Sequence, residues 1–185
     1  MASVLRPGRA LGVAELSAAR LDGEVFEIDE AFAPVDEAEG IVLRALALRG
    51  VTTPRMIAEL DSALWIRGIR FRPPAVHRVC VSRTDRIKFA PSPRLIVREV
   101  MHEPRDVEHV AGMRVTVPAR ILFDLALLAP SRVDDDARSI IERWPEAVDG
   151  CLNRLERTRN LPGKRVAFQR IDRWTGQPAL TRYTS

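Results

Sequence analysis

Cysteine, histidine and lysine are scarce in this 185-residue chain, and each scarcity closes off a class of reading. Two cysteines, Cys80 and Cys151, give neither a disulfide framework nor a pair at zinc-ligand spacing, so a reducing cytoplasm is the expected home. Histidine occurs three times, at His77, His102 and His109. His77 and Cys80 lie three apart, which on an alternating strand turns them to opposite sides and argues against a shared metal. No GxSxG, HExxH, Walker lysine loop or dinucleotide-type glycine run is present, so the commoner motif-bearing enzymes drop out. Long apolar runs are missing too. None approaches the roughly 20 residues of a membrane helix, and Glu15 interrupts the apolar run behind Arg6 and Arg9 before a signal-peptide core forms. The sequence therefore predicts no membrane span, no cofactor and no catalytic group.

What remains is of globular composition, 46% hydrophobic and 29% charged, which is enough apolar material for a buried core and too much for a disordered chain. The net charge of +4 conceals a segregation. Residues 1–40 hold nine acidic and three basic residues, a net of −6, whereas residues 49–105 hold twelve basic and five acidic, a net of +7. Of the basic residues only Lys88 and Lys164 are lysine. Arginine suits phosphate and carboxylate forks, but the codons of a GC-rich genome explain the same bias, so arginine identity alone does not establish nucleic-acid binding.

Periodicity divides the chain into elements. Val13, Leu16 and Leu21 share a helical face ahead of Asp22-Gly23, and Val25, Phe26 and Ile28 then read as a strand returning through Ala31, Phe32 and Val35. Helix plus hairpin is the outline of half a winged-helix module. A helix over residues 36–49 is expected to end at Gly50, and Thr53-Pro54 looks like the start of another, with Ile57, Leu60 and Leu64 on one face before Gly68. Beyond Pro73-Pro74 the period becomes alternating. Residues 76–82, 94–101, 106–110 and 113–117 are predicted strands, giving a central sheet of about four. Four helices follow, over residues 117–129, after Asp134-Asp135-Asp136, over residues 146–159, and after Pro162-Gly163. The expected organisation is α+β: an acidic remnant over 1–40, a body over 41–175 and a tail over 176–185.

Two constellations hold chemistry-bearing residues. Arg70, Arg72, Arg78, Arg83, Arg86 and Lys88 lie on or beside the first central strand and its turns, and are the candidate nucleic-acid contacts. Asp85 and Glu99 with Lys88 offer a degenerate nuclease centre, although an ion pair among Arg83, Arg86 and Lys88 explains Asp85 equally well. No metal site is expected at Asp134-Asp135-Asp136, which reads as a helix start stabilised by its dipole.

Four blocks carry a family resemblance. They are Thr53-Pro54-Arg55-Met56-Ile57-Ala58, Ser62-Ala63-Leu64-Trp65-Ile66-Arg67-Gly68, Val76-His77-Arg78-Val79, and the stretch from Val115 through Thr116, Val117, Pro118, Arg120, Asp124 and Leu125 to Ala126. Together they resemble the AbiEi family of type IV antitoxins, with Trp65, Thr116, Pro118, Arg120 and Asp124 as its motif residues. The resemblance implies a DNA-binding winged-helix module joined to an α+β domain that counters a nucleotidyltransferase-like toxin. Residues 1–40 match that module only as a truncated, acidic remnant. Without the family, Arg120 and Asp124 read as an i,i+4 pair on a folding helix, and Trp65 as a core residue. A stand-alone DNA-associated transcriptional regulator and, behind it, a degenerate nuclease stay open as alternatives.

Overall fold

A computed structural model describes residues 2–8, 11–83, 91–128 and 133–176. The chain is α+β, with a two-stranded and a five-stranded sheet and seven α-helices among the described residues. Contacts group it into two units. The first runs to Glu103 and takes in Val107–Val115; the second comprises Pro104–Asp106 and the chain from Thr116 onward.

The first unit opens with α1 (Val13–Leu21) and a hairpin of β1 (Val25–Ile28) and β2 (Ala31–Pro34), paired from Val25 with Pro34 to Ile28 with Ala31. Ala31 and Ala33 are buried in period-two alternation on β2, together with Ile28, the cross-strand partner of Ala31, and Val25 is buried at the far end of β1. Asp29 makes the turn at φ 56°, a left-handed conformation that aspartate tolerates better than most side chains. Helix α2 (Ile41–Arg49) starts after Gly40 rather than at Asp36, so Asp36, Glu37 and Glu39 lie in the connection and not in the first helical turn.

The proline-started helix expected at residue 54 does not form. Ile57–Ala58 is instead a short strand, β3, and α3 (Leu60–Ile66) begins behind it. Tertiary pairing overrides the local signal: Ile57 and Ala58 pair antiparallel with Cys80 and Val79 of β4 (His77–Ser82), and in parallel with Arg114 and Val115 of β7 (Met113–Thr116). With β5 (Leu95–Val100) and β6 (Val107–Val110) the sheet order is β5-β4-β3-β7-β6, so the strand hidden from periodicity is the central one. Ala111 and Gly112, at φ 48° and 79°, form the two-residue connection from β6 to β7, the positive-φ pair that a type I′ turn requires. Helix α3 packs on β4 and α2 on α3, enclosing Leu43, Leu48, Leu64, Trp65, Ile66 and Val79.

The second unit is helical. A 3₁₀ turn (Pro104–Asp106) stands with α4 (Pro118–Leu127), α5 (Val133–Arg143), α6 (Ala147–Arg157) and α7 (Lys164–Thr175). Pro118 occupies the first helical position of α4, where its missing N–H costs nothing. Helix α4 touches each of the other three and buries Ile121, Leu122 and Leu125 against Ile140, Cys151, Leu155 and Ile171. Among the described residues no helix is long and apolar enough to cross a membrane.

Candidate functional site

The arginines singled out from the sequence do not form one set. Arg70 and Arg78 converge on a single carboxylate, Asp61 of α3, at 3.0 and 3.6 Å. Arg72 and Arg83 are exposed, and Phe71 between Arg70 and Arg72 is 85% exposed. Arg86, Lys88 and Asp85 lie outside the described residues. Glu99 is exposed on β5. Among the described residues no three His, Cys, Asp or Glu side chains stand close enough to hold a metal ion.

A second constellation joins elements far apart in sequence. His77, at the start of β4, places Nε2 3.0 Å from Asp29 Oδ2 and Nδ1 3.1 Å from Ser62 Oγ, and Ser62 also accepts the Arg78 N–H at 2.8 Å. Arg94 donates to the other Asp29 oxygen and to Glu30. Burial opposes ionisation of Asp29, but the hydrogen bond from His77 and the charges nearby outweigh it and hold the carboxyl below its ordinary value. Serine, histidine and aspartate are the residues of a nucleophilic triad. Here Ser62 and His77 have no accessible surface, and the chain of hydrogen bonds clamps the β1–β2 turn to α3 and β4. Trp65 lies against this clamp, its ring 5.6 Å from His77, while Arg44 donates to the Trp65 carbonyl at 2.8 Å. No sequence spacing links residues 29, 62 and 77; the packing of hairpin, helix α3 and strand β4 brings them together.

The motif residues of the fourth block sit in the second unit around a buried ion network, with Thr116 fully buried where the chain enters α4. Arg120 is 3% exposed; its Nε donates to Asp124 Oδ2 at 2.9 Å, one helical turn on, and its Nη1 to Asp106 Oδ2 at 3.2 Å. Arg154 of α6 donates to both oxygens of Asp106 at 2.6 Å. The Arg120 and Arg154 guanidinium groups flank the Phe123 ring at 5.5 and 5.1 Å. A buried guanidinium is tolerable only when its charge is met by well-placed carboxylates, and Arg120 has two. The i,i+4 spacing gave Asp124 as a partner; nothing in the sequence pointed to Asp106 or Arg154. Close by, burial and then the Asp124 charge push the Cys151 thiol far up, so it is no nucleophile.

Comparison with known proteins adds one result to this geometry. A family model described as the AbiEi antitoxin C-terminal domain matches residues 56–166, from just before β3 into the start of α7. No curated protein matches the chain.

Proposed function

The chain belongs to the AbiEi antitoxin family, whose model spans more than half of it, and on that premise we propose that it counters a nucleotidyltransferase-like toxin in a bacterial cytoplasm, by binding rather than catalysis. The observation that carries this reading is the family match over residues 56–166, which takes in both the mixed sheet and the motif helix α4. The burial of Arg120, Asp124, Ser62 and His77 supports it, because the polar groups best suited to chemistry are engaged in holding the fold. Transcriptional regulation through DNA belongs to the same proposal. Helix α1 and the β1–β2 hairpin have the outline of a winged-helix remnant, and exposed Arg72 and Arg83 would supply phosphate contacts that its acidic residues do not.

The test is growth rescue. A nucleotidyltransferase-like reading frame beside this gene, expressed alone, is expected to arrest growth, and co-expression of the chain is expected to restore it. Arrest that persists despite abundant folded chain would overturn the reading. A genome carrying no such reading frame, with a salt-sensitive DNA complex of the purified protein, would instead favour the stand-alone regulator.

A further inference from the structure

The second unit contains a cleft that the ion network leaves open to solvent. It is lined by Arg105 and Asp106 of the 3₁₀ turn, Val117, Ala119 and Arg120 at the start of α4, and Gly150, Asn153, Arg154 and Arg157 of α6. Four of these side chains are guanidinium groups and one is a carboxylate. Even with Asp124, which lies behind Arg120, counted in, the cleft carries two positive charges more than negative ones. Its floor is made of small groups: Gly150 has no side chain, and a Cβ there would meet the Ala119 Cβ at 2.7 Å. Its volume is about 100 Å³, several times the ~30 Å³ a water occupies in the liquid and enough for one tetrahedral oxyanion.

We propose that this cleft binds a phosphate group, held by the rim arginines Arg105 and Arg157 over the buried Arg120–Asp106–Arg154 network. The network supplies rigidity as well as charge. Asp106 fixes Arg120 from α4 and Arg154 from α6, so these two guanidinium groups are oriented before any ligand arrives, and little ordering remains to be done on binding. Arg157 is exposed, its Nε tied to the Asn153 carbonyl at 3.1 Å, which leaves its terminal nitrogens to fork onto an oxyanion. Asn153 stands one turn before Arg157 on the same rim and adds an amide donor. The first turn of α4, which no side chain caps, contributes the positive end of a ten-residue helix to the same cleft. Phosphate is favoured over a carboxylate ligand because its three or four oxygens satisfy several converging guanidinium forks at once. The proposal does not depend on the toxin reading.

The experiment uses the full chain and inorganic phosphate as probe, followed by calorimetry and by thermal unfolding. Phosphate is expected to bind and to raise the unfolding temperature beyond what sodium chloride gives at equal ionic strength. An Arg157→Ala variant is expected to lose phosphate affinity tenfold or more while unfolding at the wild-type temperature without phosphate. Arg138→Ala, an exposed arginine on α5 outside the cleft, is expected to leave affinity unchanged. Absence of phosphate binding, or an equal loss in Arg138→Ala, would overturn the assignment. Competition then separates the sources. Displacement of phosphate by ADP assigns the site to terminal phosphates, displacement by a short DNA duplex assigns it to a backbone phosphodiester, and failure of both assigns it to free inorganic phosphate.

Discussion

Asp29 concentrates three roles in one residue: it turns the hairpin at positive φ, accepts from His77 and neutralises Arg94. Because its carboxyl is held below the ordinary 3.8, it stabilises the fold at and above that value, and the contribution is lost as pH falls through the lower folded-state value. Asparagine in its place would keep the shape and tolerate the left-handed turn but lose the charge. Asp29→Asn is therefore expected to cost about 1–3 kcal/mol near neutrality, with the gap to wild type closing as pH drops below 3.8. Denaturant unfolding of both proteins across that range checks it; a gap independent of pH would show that the charge of Asp29 contributes nothing.

At the scale of elements, α4 and α6 meet at Ala119 and Gly150, and two effects of opposite sign compete there. Replacing a helical glycine by alanine ordinarily stabilises by about 0.5–1 kcal/mol. Here the added Cβ would lie 2.7 Å from the Ala119 Cβ, and overpacking of that kind costs about 1–3 kcal/mol. The steric term wins, so Gly150→Ala is expected to destabilise, and the double variant with Ala119→Gly to recover part of the loss. Equal or greater stability of Gly150→Ala by denaturant unfolding would mean that the helices separate freely. Leu122, fully buried on α4, calibrates the same interface. Its truncation to alanine is expected to cost about 2–5 kcal/mol, and a cost below about 0.5 kcal/mol would place it at the surface.

For the whole molecule, the acidic N-terminal stretch is bound into the first unit by more than sequence proximity. The Asp29 carboxylate is buried against His77, and Leu5 bridges to Phe32 of the hairpin. A chain beginning at residue 36 would leave His77 without its Asp29 acceptor and Arg94 without its two carboxylates, and would remove the buried Val25, Ile28, Ala31 and Ala33 from the first unit. Such a truncation is expected to lower the denaturant midpoint of the remaining chain; an unchanged midpoint would show the N-terminal stretch to be dispensable to folding. Removing it is thus no clean way to ask whether its net charge of −6 repels DNA. The cleaner test keeps the full chain and replaces exposed Arg72 and Arg83 by alanine. If both contact phosphates, the dependence of log affinity on log salt is expected to weaken by about 0.9 for each, and an unchanged slope would remove them from the interface.

Periodicity and punctuation were enough for most elements. Pro118 and the Ile121, Leu122 and Leu125 face defined α4, alternation defined β4 and β5, and Asp22-Gly23 closed α1, because each of these signals is local and agrees with its tertiary surroundings. The four blocks of residues were likewise sufficient to mark the family, since the match at residues 56–166 covers most of them. Tertiary structure decided the rest. Thr53-Pro54 has the form of a helix start, yet Ile57 and Ala58 gain ladder hydrogen bonds from β4 on one side and β7 on the other, and two long-range pairings outweigh one local preference. The same holds for charge. A count along the chain gives residues 49–105 a net charge of +7, whereas folding pairs Arg70 and Arg78 with Asp61, Arg94 with Asp29 and Arg98 with Glu59, and Arg72 and Arg83 are exposed. Which arginines are neutralised inside the protein and which face outward is set by where carboxylates distant in sequence arrive in space, and no spacing rule encodes that.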